Sequence, residues 1–366
     1  MSAYIARRLL LIVPTLFGIM LINFIVIQFV PGGPVEQMIA QLTGEAVSAT
    51  ARVSGAHQGD TQQQAPSAGG GNNRYRGTQG LPPELIADLE RQFGLDKPAH
   101  ERFLLMMGNY IRFDFGDSYF QDRSVAQLVM DKLPVSISLG LWTTLLVYLI
   151  SIPLGVGKAV RDGTRFDIWT SGAIIFGNAV PGFLFAILLI VVFAGGSYFD
   201  WFPLRGLVSP DWSTMTWGQR VADYFWHLTL PLLSMVIGGF ASLTMLTKNS
   251  FIEEVGKQYV ITARAKGSTK SRVLYGHIFR NAMLIVIAGF PAAFVGILFT
   301  GALLTEVIFS LDGLGLLGFE AALTRDYPVM FGTLYFFTLL GLVLGIVGDL
   351  MYHLVDPRID FETRDV

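Results

Sequence analysis

The stretch Lys248–Asn281, KNSFIEEVGKQYVITARAKGSTKSRVLYGHIFRN, is the only long, strongly basic segment lying between two apolar runs. It sets Lys248, Lys257, Arg264, Lys266, Lys270, Arg272 and Arg280 against Glu253 and Glu254. A Lys/Arg excess between two membrane spans marks a loop on the cytoplasmic side. Phe251 to Lys266 is rich in helix-tolerant residues, and Gly267 interrupts it. Ser268 is placed to cap a second helix running to about Asn281. Glycine suits a reversal at position 267 because it enters the left-handed region without a Cβ clash. Ala263 and Ala265 leave the first helix thin just before that turn. A thin, basic, projecting helix suits a groove on another protein; the plainer reading is a solvated loop that only fixes topology.

Composition points to the membrane independently. The chain has 366 residues, 52% of them hydrophobic and only 15% charged. A soluble domain is normally about one-quarter charged. The absence of cysteine excludes disulfides, thiolate metal sites and cysteine catalysis. The net charge of −2 is unevenly spread, and no nucleic-acid partner is expected.

Apolar runs of the required ~20 residues predict six helical spans. They lie at about 9–30, 135–156, 168–193, 227–247, 282–309 and 331–355. Helices are expected over barrel strands because runs of this length do not alternate in polarity and satisfy their own backbone groups. Arg7 and Arg8 before the first run keep the amino terminus in the cytoplasm. That run is too long for a signal-peptide core of ~7–15 residues, and no small-residue cleavage site closes it. Both termini are therefore expected inside. The domain reading is a first span at 1–30, an extracytoplasmic region at 31–134, a core at 135–355 and a tail at 356–366.

Within the extracytoplasmic region, about 43–80 is Gln/Gly/Ser/Asn-rich and reads as a flexible insertion. Helices are expected at Pro83–Phe93, Glu101–Phe113 and Val125–Lys132, the last separate from the second span. Lys158, Arg161 and Arg165 read as a basic cytoplasmic turn. Four tryptophans between Gly195 and Trp226 suit an interfacial belt better than a sugar-stacking platform.

Polar groups at membrane depth are costly and mark function by default. Asn178, near Pro181, either lines a translocation path or bonds a neighbouring helix. Glu306 either stands at an outer gate to attract a peptide amino group or is satisfied by water or glycine-turn amides. Asp349 and His353 share a helix face as a candidate proton relay, with a helix-end hydrogen bond as the plainer reading. No catalytic or metal site is expected. No G-x-x-x-x-G-K-[ST] phosphate loop is present, so any ATP must be bound by another chain.

Gln258-Tyr259-Val260-Ile261-Thr262-Ala263-Arg264-Ala265-Lys266-Gly267, with His277-Ile278-Phe279-Arg280-Asn281-Ala282, resembles the coupling loop of bacterial ABC-importer permeases of the dipeptide/oligopeptide family. Gly94-Leu95-Asp96-Lys97-Pro98, Phe113–Ser118, Glu306–Gly315 and Arg325–Val329 resemble the same family. The wider importer signature opens Glu-Ala-Ala; Ile261-Thr262-Ala263 stands there, so any role of that glutamate does not transfer. Length and insertion are most similar to the Yej branch of microcin C/oligopeptide importers. The resemblance implies an all-α, six-span type I importer permease that is not itself an enzyme. It implies Tyr259, Thr262, Ala263, Arg264, Ala265, Lys266 and Gly267 as the ATPase-coupling surface. It also implies a second permease subunit, two ATPase subunits carrying ATP and Mg, a periplasmic peptide-binding protein and a peptide cargo that includes microcin C-like peptide-nucleotides. It places the chain in the inner membrane. A proton-coupled secondary transporter and a non-transporting membrane scaffold are the alternatives.

Overall fold

The computed structural model describes residues 2–29, 95–196, 198–296 and 302–355, with scattered positions between 33 and 91. The expected insertion at 43–80, the bulk of the Pro83–Phe93 helix and the tail at 356–366 lie outside the described residues. Every named element among the described residues is helical. In chain order they are α1 (Ser2–Phe29), α2 (Ala99–Tyr110), α3 (Val125–Val160), α4 (Arg165–Ala179), α5 (Gly182–Phe193), α6 (Trp217–Val255), α7 (Gln258–Ala265), α8 (Lys270–Val273), α9 (Phe279–Ala288), α10 (Phe290–Gly296), α11 (Ala302–Ile308), α12 (Leu314–Thr324) and α13 (Tyr327–Val355). A π-helical turn, Leu274–Ile278, joins α8 to α9.

Among the described residues five stretches are long and apolar enough to cross a membrane, and a bent helix pair makes a sixth when it is counted as one span. The all-α, six-crossing expectation therefore holds, with corrections to the boundaries. The third crossing is not one helix: α4 and α5 meet at 88°. Val180 is extended (ψ 118°) and Pro181 has no amide hydrogen to continue the ladder. The second crossing does not start afresh near Val135. The expected short helix at Val125 runs straight into it, through Pro134 and Pro153. The fourth starts ten residues before His227, because Thr216 and Gln219 form a reciprocal capping box ahead of Trp217. The fifth is apolar and helical from Lys270 to Phe294, so the second half of the basic loop is continuous with its span. A further helix, α12, forms at Leu314–Thr324, between the fifth and sixth crossings, where the sequence reading placed no element.

The chain forms two compact units: Met1–Leu9 with Leu133–Gly315 and Leu340–Val366, and Leu10–Lys132 with Leu316–Leu339. In the first, Val135, Leu139, Ala186, Leu189, Leu228, Leu232, Phe309 and Leu311 form one buried cluster. There α3 and α6 approach so closely that a Cβ on Gly155 would stand 2.6 Å from Thr247 Cβ and 2.8 Å from the Thr244 carbonyl. Small residues let helix backbones close up in this way within a membrane.

In the second unit, aromatic rings do much of the packing. Phe24 meets Phe103 at 5.3 Å and Phe331 at 5.9 Å, and Tyr335 meets Tyr110 at 5.4 Å and Phe115 at 5.6 Å. Ser118 donates to the buried Asp326 at 2.5 Å, and the Tyr119 amide donates to the same carboxylate. Burial raises the Asp326 pKa above the usual carboxylate value, and these bonds offset only part of that shift.

Candidate coupling surface

The basic stretch builds a short helix docked at the end of a long one. α6 stops at Val255, Gly256 caps it, and α7 begins two residues later. The expected single helix from Phe251 to Lys266 is thus two helices. Val260 is fully buried with Phe251, Val273, Ile278, Ala282, Met283 and Val286, and Ala263 packs half-buried against them. Fully burying a side chain such as Val260 stabilises by about 1.5–3 kcal/mol.

Polar contacts fix the same joint. The Tyr259 hydroxyl donates to Glu254 at 2.5 Å, and Lys257 donates to its other carboxylate oxygen. Asn281 joins this cluster from the start of α9. Burial first, then the neighbouring Glu254 carboxylate, raises the Tyr259 pKa above the usual value, so the hydroxyl keeps its proton at neutral pH. The Glu254 hydrogen bond raises the Lys257 pKa and holds the ammonium charged. Counting charges along the loop includes Glu254 but does not show that it is buried where α6 ends and α7 begins.

α7 ends in a well-formed reversal. The Ser268 amide donates to Ala263 O and the Gly267 amide to Arg264 O, with Gly267 at φ +80°. This is a Schellman cap, which takes glycine at the left-handed position. Contrary to the expectation from sequence, Ser268 does not cap the next helix. Its amide closes α7, and Thr269 caps α8 by accepting from the Arg272 amide at 3.4 Å.

Thr262, Arg264, Ala265, Lys266 and Gly267 are exposed at this tip. Two apolar residues outside the expected set are also bared: Ile261 on α7 is 56% exposed, and Tyr275 on the π-turn after α8 is 63% exposed. Exposed apolar side chains on a basic knob are what a partner protein would cover.

The carboxyl end of α3, the start of α4 and the last third of α6 are tied by an ion network. Lys158 is fully buried rather than part of a solvated basic turn. Its ammonium stands 2.9 Å from Asp167 Oδ1 and donates to Thr170 at 3.0 Å and Ser171 at 2.7 Å. Lys248 reaches the other Asp167 oxygen at 2.7 Å and Asp162 at 2.8 Å. The chain reverses between α3 and α4 at Gly163, φ +72°, which is what brings Asp167 back over Lys158.

The intramembrane candidates are placed differently from one another. Asn178 is exposed on the last turn of α4, just ahead of the break. Glu306 does not stand open at an outer mouth. It is fully buried, Ser136 donates to it at 2.8 Å, and its carboxylate fills the space beside Gly313 and Gly315. The Ser136 hydroxyl in turn accepts from the Leu314 amide at 2.8 Å. Glu306 thereby pins α3 against the turn after α11. Neither residue lines the cavity of about 660 Å³ bounded by Thr143, Tyr148, Phe183, Met235, Ser242 and Thr305. Asp349 accepts from the Tyr4 hydroxyl at 3.1 Å and pairs with Arg8 at 3.2 Å, so its partners come from α1.

A family model described as "Binding-protein-dependent transport system inner membrane component" matches residues 151–361, which include the docked helix and its Schellman turn. The chain belongs to that family. Among its relatives, the peptidoglycan transport system permease protein YejB of Agrobacterium fabrum is 63% identical over 366 residues, covering 100% of each chain. The inner membrane ABC transporter permease protein YejB of Escherichia coli O157:H7 is 59% identical over 364 residues, again covering 100% of each. The oligopeptide transport system permease protein AppB of Bacillus subtilis is 31% identical over 365 residues, covering 99% of this chain and 100% of that one. A solved structure titled for inward-facing conformations of the MetNI methionine ABC transporter matches with a TM-score of 0.49 at 14% identity, over 63% of this chain and 97% of that one. The chain is a multi-pass permease subunit of the ABC transporter family, and its likeness to the Yej branch runs its full length.

Proposed function

We propose that this chain is one half of the membrane pathway of an ATP-driven importer that moves peptides from periplasm to cytoplasm. The observation that carries the reading is the docked helix α7. Its inner face is locked into the permease by Val260 and Glu254, while Thr262, Arg264, Ala265, Lys266 and Gly267 are offered outward. A lever needs this arrangement: rigid towards the spans, free towards a partner.

Under this reading a second permease subunit pairs with this one, and two ATPase subunits bind ATP and Mg. A periplasmic binding protein delivers cargo. The relatives' names give peptidoglycan transport for one and oligopeptide transport for another. Peptide is the chemistry those cargoes have in common, and oligopeptides and peptide-bearing conjugates such as microcin C-like molecules are the proposed cargo here. Closure of the ATPase dimer moves α7, and α6 and α9 carry that movement into the spans. A partner shifts the permease only through a difference in its affinity for the inward- and outward-facing states, so the contact at Tyr259–Gly267 must differ between them. Both termini are cytoplasmic in this topology.

The test is uptake by reconstituted vesicles. With the second permease, the ATPases and the binding protein present, labelled peptide enters only when ATP is supplied. Uptake by vesicles holding this chain alone, driven by a proton gradient, would overturn the reading in favour of a secondary transporter. Partner binding with no solute flux would point to a scaffold.

A further inference from the structure

We infer that the cavity at the carboxyl end of α1 is a binding site for one membrane phospholipid, whose phosphate is taken by Arg102 and Lys97. This goes beyond the transport reading and holds for whichever leaflet meets that end of α1.

The cavity is about 300 Å³ and lies within the second unit. Phe24 and Ile27 give it an apolar wall, Lys97 and Arg102 supply cations, and Tyr119 and Tyr327 supply hydroxyls. Asp114 also lines it, but its Oδ1 accepts the Gly116 amide at 3.1 Å. Two cations therefore face one carboxylate that is already engaged, and the site favours an anionic group.

Arg102 is the decisive side chain. One terminal nitrogen donates to Gln28 Oε1 at 2.9 Å, and the guanidinium lies 5.8 Å from the centre of the Phe24 ring. Its Nε–H is buried and has no acceptor among the described residues. A buried donor without an acceptor is costly. Arginine presents a planar fork of donors suited to phosphate oxygens, and a phosphate in the cavity would satisfy that donor.

The depth of the site identifies the source of the phosphate. α2 buries Phe103, Met107 and Tyr110 on one face. Leu104 and Leu105 on its other faces, and Ile111 and Phe113 just beyond it, are all more than half exposed. Apolar side chains bared on a short helix outside the spans belong in the headgroup and acyl boundary, where such helices lie. α1 reaches the same level with Phe29 exposed at its last position. An acyl chain against Phe24, Ile27 and Leu105 would bring its phosphate to Arg102 and Lys97, with the arginine stem following the apolar wall. A soluble acidic partner would meet the cations but leave the apolar flank in water.

The test uses the intact purified importer complex in mild detergent, read by native mass spectrometry. The probes are a phosphatidylglycerol and a diacylglycerol glucoside with the same acyl chains and no phosphate. The wild type is expected to hold phosphatidylglycerol in preference to the glucoside. Arg102→Gln should raise the lipid concentration for half-occupancy about tenfold, as expected for loss of a charged hydrogen bond, with glucoside binding unchanged. Arg205→Gln, an exposed arginine outside the cavity, should behave as wild type. If Arg102→Gln fails to assemble, Lys97→Gln, at an exposed position, is read in its place and should weaken the same preference. Equal binding of phosphatidylglycerol and glucoside to the wild type would overturn the proposal. So would unchanged phospholipid retention in the substituted complex, including the case where only binding-protein affinity falls.

Discussion

The Tyr259 hydroxyl donates to the Glu254 carboxylate across 2.5 Å, joining the short helix α7 to the end of the long helix α6. Glu254 is buried and also accepts from Lys257, so under the proposed coupling the pair sits where a push on α7 would enter the spans. Tyr259→Phe removes the donor and keeps the ring. Glu254 keeps Lys257, so the expected loss is that of one hydrogen bond to a charged group, about 1.5–3 kcal/mol of local stability. The complex should still assemble, and ATP hydrolysis should continue while less peptide enters per ATP. Paired uptake and phosphate-release assays on reconstituted complexes read that ratio directly.

Gly267 is at φ +80°, and its amide closes the Schellman turn on Arg264 O. Gly267→Ala keeps the amide but places a Cβ in the left-handed region, at a cost of about 1–2 kcal/mol. Gly267→Pro forbids that φ and deletes the donor. A graded defect is expected: alanine mildly impaired, proline assembled in part but uncoupled from ATP hydrolysis. Normal import by the proline variant in liposomes would show that the turn has no part in coupling.

Asp167 carries two buried or nearly buried cations, Lys158 and Lys248. Removing one partner from a buried ion cluster costs about 3–5 kcal/mol, because a charge is left uncompensated. Asp167→Asn should lower the thermal midpoint of the detergent-solubilised complex markedly. Lys158→Met combined with Asp167→Asn should recover part of that loss, since Lys248 keeps Asp162 at 2.8 Å. A double variant no more stable than Asp167→Asn would show that the cost is packing rather than charge.

Asp326 provides a pH signature. Burial raises its folded pKa, with Ser118 and the amides of Tyr119 and Val329 pulling the other way. A carboxyl whose pKa is raised on folding stabilises the fold below its unfolded pKa, and that contribution is lost as pH rises through the folded value. The wild-type complex should therefore lose stability as pH climbs out of the acid range. Asp326→Asn should flatten that slope. Melting curves from acid to neutral pH compare the two, and parallel curves would contradict the assignment.

The crossings were legible because an apolar run long enough to span is a local property. The basic loop and its glycine turn were legible for the same reason. The partners of buried charges were not. Charge patterning alone puts Lys158 among solvated bases, and only the reversal at Gly163 brings Asp167, Thr170 and Ser171 around its ammonium. Ser268 and Thr269 are equally good caps by type. The choice falls to Thr269 because the helix starts at Lys270, which puts Thr269 in the extended cap position with its hydroxyl facing the Arg272 amide. Glu306 has a composition that fits either a gate or a brace, and the long-range contact with Ser136 that buries it has no signature in its own neighbourhood.

The central claim is that an ATPase grips the exposed end of α7. Ala265 is the place to test it, since it is exposed while Ala263 packs against the permease. A photocrosslinking residue at position 265, activated in intact cells, should capture an ATPase subunit, with capture changing when ATP hydrolysis is blocked. Capture of no ATPase, or labelling of that position by a reagent confined to the periplasm, would contradict the account.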